Sequence, residues 1–167
     1  MEIVYRPIGV IHSSFESIEQ MPIQPSGESA VSGTAVVHPE YSPGLRDLEG
    51  FSHLILLYHF HRAPAPRLSV TPFLDDRPHG VFATRAPVRP NPIGLSVVEL
   101  VGITGNQLKL NRVDVLDGTP LLDIKPYVPD FDAPEKVRVG WLEDSSKNVR
   151  SLSSDSRFGS GGENESS

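Results

Sequence analysis

Short runs rich in β-branched and other apolar residues recur along the chain, with glycine, proline and asparagine between them. In an extended chain successive side chains point to opposite faces, so such runs read as strands. The pattern predicts seven: Ile3 to Ile11, Gly33 to Val37, Leu54 to His61, Val81 to Thr84, Leu95 to Ile103, Leu108 to Leu116 and Leu121 to Lys125. Pro7 restricts the first to an edge or a bulge. Thr104-Gly105-Asn106-Gln107 reads as a tight hairpin turn, and Asp117-Gly118-Thr119-Pro120 as another. Helical signal is confined to Ser42 to Gly50, with Ser42 as cap, Pro43 at the first position and Gly50 as terminator. Strands and helices do not alternate, so a doubly wound Rossmann fold is not expected. The expectation is an all-β barrel or sandwich with short helical turns.

Composition narrows the class. A chain of 167 residues, 38% hydrophobic, suits one domain with a single core. Residues 1–143 are assigned to that domain. Residues 144–167, dominated by serine, glycine and glutamate, are expected to form a disordered polar tail. With no cysteine there are no disulfides, thiolate metal sites or cysteine nucleophile. No apolar run reaches about 18 residues, so no membrane span is expected. MEIVYRPIGVIHSS lacks the build of a signal peptide, which points to a cytoplasmic protein. The net charge of −6 argues against a large nucleic-acid footprint. A local basic patch stays open, because Arg62, Arg67, Arg77, Arg85 and Arg89 fall close together, although Asp75 and Asp76 lie among them.

Three stretches carry candidate chemistry. In GVFATRAPVRPNPIGL, Gly80 to Leu95, prolines 87, 90 and 92 stiffen a loop bearing Arg85, Arg89 and Asn91. Two guanidiniums and a carboxamide on a rigid loop suit an anionic or amide-rich ligand; the alternative is a connector with solvated arginines. His53, His59 and His61 share a strand face with Ile55 and Leu57, and no Asp, Glu or Cys joins them. No metal is therefore expected. His61 and Arg62 are placed at a pocket mouth, and His53 and His59 hydrogen-bonded near the core. Further on, Asp114 interrupts an apolar run and needs a partner. Asp117 is either a turn former or functional. Asp123, Lys125 and Tyr127 alternate to one face, where Asp123 pairs with Lys125 or Arg112 in the structural reading. Met21 to Gly27 is either a surface turn or a loop whose backbone approaches a ligand at Gly27. The nucleophile-elbow, phosphate-loop and dinucleotide fingerprints are missing.

IGVIHSSF, LRDLEGFSHLILLYHFHR, GVFATRAPVRPNPIGLSVVEL and DVLDGTPLLDIKPYVP together resemble the TsaA-like (TrmO) family, from about residue 3 to residue 132. The resemblance implies a compact, mainly antiparallel β-barrel that binds S-adenosylmethionine outside any Rossmann fold, usually as a homodimer. It implies methyl transfer to N6 of threonylcarbamoyladenosine, just 3′ of the anticodon in certain tRNAs. Carried over by motif, the cofactor contacts are Pro25, Ser26 and Gly27, His61 and Arg62, Arg85, Leu95, and Asn111, Arg112, Val113 and Asp114. Arg85, Asn91, Asp117 and Lys125 are the candidates for substrate placement and chemistry. Some bacterial members carry a further C-terminal domain, where this chain has its polar stretch. A methyltransferase for another acceptor and a non-catalytic cofactor-binding module are the alternatives.

Overall fold

The alternation of large apolar side chains closes a barrel. The computed structural model describes residues 1–17 and 31–143; Pro25, Ser26, Gly27 and the expected tail lie outside the described residues. The strands are β1 (Gly9–His12), β2 (Gly33–Val37), β3 (His53–His59), β4 (Ser69–Val70), β5 (His79–Gly80), β6 (Ile93–Thr104), β7 (Gln107–Asn111) and β8 (Thr119–Pro126), followed by one short helix, α1 (Pro129–Asp132). Six of them form a closed antiparallel barrel in the order β1-β2-β7-β6-β3-β8, while β4 and β5 pair as a separate ribbon. Closure leaves the barrel wall no free strand edge.

Every second residue fills the interior. Leu54, Leu56 and Tyr58 of β3 point inward with Ile11, Ala35, Val37, Val98, Leu108, Leu110 and Leu121. Truncating one of these leucines to alanine would cost about 2–5 kcal/mol. The other parity of β3, His53, Ile55, Leu57 and His59, lies on the outer wall. The histidines are thus half-buried outside the barrel rather than near its core, because the leucines take the inward positions; His53 Nδ1 meets Ser52 Oγ at 3.0 Å.

Several elements differ from expectation for identifiable reasons. Only Gly9–His12 of the first run is a strand, with Ile3, Val4 and Tyr5 exposed. The run from Leu108 ends at Asn111, because Arg112 adopts a left-handed φ of 62° and breaks the ladder. Val81–Ala83 forms a 3-10 turn, closed by Thr84, whose N–H and Oγ1 both donate to the Val81 carbonyl. The helical signal resolves into two 3-10 turns, Pro39–Leu45 and Leu48–Gly50. Pro43 lies inside the first of these, and Ser42 Oγ donates to the Pro39 carbonyl instead of capping. Both turns hold: Gly105 at φ 61° and Gly118 at φ 75° supply conformations open to glycine.

A small lobe stands beside the barrel. Val70, Val81, Ala86 and Val88 bury together with Phe73 against them. This second core holds β4, β5 and the proline-rich loop as one piece. Trp141 ties the end of the described chain to it, stacking on His79 at 4.6 Å and donating Nε1–H to the Ala83 carbonyl at 2.8 Å.

Candidate functional site

Antiparallel order brings the end of β1, the start of β2, the end of β7, the start of β6, the end of β3 and the start of β8 to one mouth of the barrel. The Arg85 loop enters the same mouth, since it leads into β6 and is pinned where the Phe60 N–H donates to the Pro92 carbonyl at 2.8 Å.

The centre of this mouth is a chain of three polar side chains. Ser96 is the inward residue between Gly94 and Val98 on β6, and is almost fully buried. Its hydroxyl donates to Asp114 Oδ1 at 2.5 Å, so the Tyr58 hydroxyl, 2.9 Å from Ser96 Oγ, must donate to it. Burial pushes the Asp114 carboxyl above its ordinary range, against the Ser96 bond and the Arg85 guanidinium, which favour the ion. Burial likewise raises the Tyr58 phenol, with the Asp114 charge adding to it. Gly94 is required beneath this ring, because a Cβ there would collide with Tyr58 Cε2.

The two arginines of the loop have different roles. Arg89 Nη1 donates to the carbonyls of Thr84 (2.8 Å), Val81 (3.1 Å) and Ala86 (3.4 Å), so it holds the loop in shape. Arg85 is exposed and within electrostatic range of Asp114 and Tyr58. An arginine facing a half-buried aspartate matches a zwitterionic ligand: guanidinium to carboxylate, and carboxylate to an ammonium or to ribose hydroxyls.

At the rim Asp117 Oδ1 meets His12 Nδ1 at 3.0 Å and accepts the Ser13 N–H at 3.2 Å. Its slight burial opposes ionisation, but these bonds outweigh that and hold the carboxyl below its usual range. His61 Nδ1 lies 3.5 Å from Thr119 Oγ1, and its partial burial, with Arg62 and His59 beside it, lowers its proton affinity. Arg62 donates to the Glu16 carbonyl at 2.9 Å. Asn111 donates to Glu99 at 3.1 Å and accepts from Ser32 at 3.0 Å. Val113 is buried, its N–H bonded to the Val31 carbonyl, and Leu95 is 46% exposed on the outer wall of β6.

The fold therefore brings Arg85, His61, Arg62, Asn111, Arg112, Val113, Asp114 and Asp117 to the mouth, with Leu95 at its outer edge. Asn91 is exposed on the loop above it. Lys125 is not brought there: it faces outward opposite Ile55, towards the far end of β8, and pairs with Asp123 at 2.8 Å. Asp123 with Lys125 is thus the ion pair formed. Tyr58, Ser96 and His12 were not singled out from the sequence. The signal for Ser96 was present, as a polar residue on the inward parity of an apolar run; His12 meets Asp117 across 105 positions and offers none.

Residues 10–133 match the model of the tRNA-methyltransferase O N-terminal domain. The chain belongs to the TrmO family. It is 57% identical over 156 residues to a probable S-adenosyl-L-methionine-binding protein of Pyrococcus abyssi, covering 93% of this chain and 85% of that protein. It is 39% identical to a mouse tRNA (adenine(37)-N6)-methyltransferase, over 80% of this chain and 32% of the mouse protein. A crystal structure of TrmO from Pseudomonas aeruginosa superposes with a TM-score of 0.72 at 43% identity, covering 84% of this chain and 63% of that one. The chain thus spans somewhat less than two thirds of that TrmO structure. The closed antiparallel barrel is the architecture these TrmO structures share with it.

Proposed function

We propose that this TrmO-family chain is an S-adenosylmethionine-dependent methyltransferase acting on N6 of threonylcarbamoyladenosine beside the anticodon of tRNA. The observation that carries the reading is Arg85 set against the half-buried Asp114 at the barrel mouth. The names of its Pyrococcus and mouse relatives support the cofactor and the acceptor. The donor set fits the cofactor, since Arg85 suits its carboxylate, Asp114 its ammonium or ribose hydroxyls, and Leu95 an apolar ring face. Pro25, Ser26 and Gly27, with His61, Arg62 and Asn111 to Val113, complete the proposed contacts.

When bound, S-adenosylmethionine supplies a methyl group on a good leaving group. What is left to the protein is placement, alignment and the proton. Arg85 orients a carboxylate in bidentate fashion, and its loop is held rigid by Arg89 and the lobe core. The acceptor nitrogen must lose a proton during or after attack. Asp117, held ionised, is a weak base but a good orienter. With Nδ1 bonded to Asp117, His12 has Nε2 left to take the proton in this scheme. Asn91 is proposed to contact the substrate amide. Lys125, paired on the outer wall, is given no step.

The protein is further proposed to work in the cytoplasm as a homodimer, with Ile93 and Leu95, 39% and 46% exposed on the outer wall of β6, in the contact. Incubation with methyl-labelled cofactor tests the activity. Label should enter tRNA carrying the threonylcarbamoyl group and not tRNA lacking it. Transfer to a different acceptor, or cofactor binding with no transfer at all, would replace the reading with one of its two alternatives.

A further inference from the structure

Phe82 is 74% exposed, an unusual placement for a phenylalanine held in an ordered turn. Leu68, 71% exposed, lies next to it, because the Val81 N–H donates to the Leu68 carbonyl at 3.0 Å. Neither side chain belongs to the lobe core that orders the backbone around it. The Arg89 guanidinium sits 5.7 Å from the centre of the Phe82 ring while Nη1 is spent on three carbonyls. The ring thus stands on an ordered turn, beside one guanidinium, and is open to solvent.

The surroundings specify the partner. Residues 62–92 contain five arginines, no lysine and only two acids, Asp75 and Asp76, in a chain of net charge −6. Asp75 is occupied by His79 at 3.0 Å and Arg77 at 3.6 Å. Arg67 and Arg85 are exposed in the segments flanking Leu68 and Phe82. An exposed aromatic ring on an ordered turn in a guanidinium-rich field suits unpaired nucleotides, whose bases stack on the ring while the phosphates meet the cations. A protein partner would gain from the apolar area but not from the concentration of arginine.

We propose that Phe82 is a base-stacking platform, and that the lobe of residues 62–92 is the face on which a single-stranded RNA loop docks beside the barrel mouth. The proposal rests on the RNA-directed reading above and adds Phe82, Leu68 and Arg67, none of them among the proposed cofactor contacts, to the face that already carries Arg85. Phe82 lies on the same loop as Arg85, three residues before it.

The test uses the full chain and a labelled anticodon stem-loop carrying threonylcarbamoyladenosine. Fluorescence anisotropy gives RNA affinity, calorimetry gives cofactor affinity, and sedimentation gives the oligomeric state. F82A should weaken RNA binding about tenfold or more and raise KM for the RNA, with cofactor affinity retained as evidence of an intact fold. F82W should restore binding, whereas F82L, which keeps apolar area without a π-face, should not. A duplex of the same sequence should be insensitive to all three variants. Unchanged RNA affinity in F82A, equal rescue by F82L, or a change of oligomeric state with RNA affinity retained would each overturn the platform. If the wild type methylates the stem-loop and F82A matches it, the platform fails and the methyltransferase reading stands. If the wild type binds the stem-loop through Phe82 but transfers no methyl group, the platform stands and that reading fails.

Discussion

Ser96 donates its hydroxyl proton to Asp114 across 2.5 Å, so the one polar residue on the inward face of β6 is committed to a carboxylate that burial makes reluctant to ionise. A group with its folded pKa raised above the unfolded value costs stability at neutral pH. That cost is relieved as the pH falls through the folded value, where the folded state binds the extra proton. Asp114→Asn removes the charge and keeps the shape. It should leave Tm at neutral pH unchanged or raised, and flatten the acid side of the stability profile. Methyl transfer should fall at least tenfold. Paired thermal melts and transfer assays check this; a large fall in Tm would make Asp114 a structural residue.

Arg85 is the proposed cationic half of the cradle and owes nothing to the loop's own hydrogen bonds. Arg85→Ala should weaken cofactor or RNA affinity by about ten- to a hundredfold, the scale of losing a hydrogen bond to a charged group. Arg85→Lys should recover only part of it, because an ammonium cannot match a carboxylate in bidentate fashion. Titration calorimetry separates the two ligands. Kinetics unchanged in both variants would remove Arg85 from the site.

Arg89 is expected to behave differently although it lies four positions away. Arg89→Ala takes the side-chain donor from the Thr84 and Ala86 carbonyls, while Val81 keeps its bonds from Thr84, and should destabilise the protein by about 1–3 kcal/mol. Through misplacement of Arg85 it should lower both cofactor affinity and kcat/KM, by less than Arg85→Ala does. Arg89→Lys should recover part of the loss, since the three carbonyls converge on one nitrogen and an ammonium carries three donors. Chemical denaturation alongside steady-state kinetics gives both quantities.

The lobe has its own acid sensitivity. The bond from His79 first, and the Arg77 amide next, hold the Asp75 carboxyl at about 2. A depressed carboxylate contributes stability above its unfolded value, near 4, and loses it as the pH falls towards 2. Asp75→Asn should abolish that part of the acid profile and loosen the His79–Trp141 stack, which Trp141 fluorescence reports. An unchanged acid limb would contradict the pairing.

Gly94→Ala should be costly for one added methyl, because the Cβ collides with the Tyr58 ring. Either β6 or the ring must move, at about 1–3 kcal/mol, and the Tyr58–Ser96–Asp114 chain is lost with it. Lys125→Ala, on the outer wall, serves as the contrasting control and should leave transfer close to wild type.

The barrel was legible because inward and outward parity is written in the alternation of Leu54, Leu56 and Tyr58 with their neighbours. Strand limits were less so. Nothing in the apolar run after Leu110 announces that Arg112 turns left-handed, and Val81 to Thr84 has strand composition although its 3-10 turn is set by Thr84 and the lobe core. The proline-rich loop, expected to be stiffened by its prolines, has two further supports: Val88 is buried in a small core and Arg89 ties three carbonyls, neither of which proline content reveals. Arg85 and Arg89 are identical in type, and only their partners in space divide the proposed ligand contact from the scaffold. The Asp114 site was half visible, since a buried carboxylate demands a partner, while Ser96 and Tyr58 come from strands that pair only in the closed barrel.

The most direct measurement is nucleoside mass spectrometry of tRNA digested after incubation with the wild-type chain, with Arg85→Ala and with Asp114→Asn. Wild type should convert threonylcarbamoyladenosine to a species one methyl group heavier, with fragmentation locating the methyl on the base nitrogen, and both variants should leave it unconverted. Unmodified nucleoside after prolonged incubation with cofactor-saturated wild type, or full conversion by both variants, would contradict a mouth in which Arg85 and Asp114 present the donor to that base.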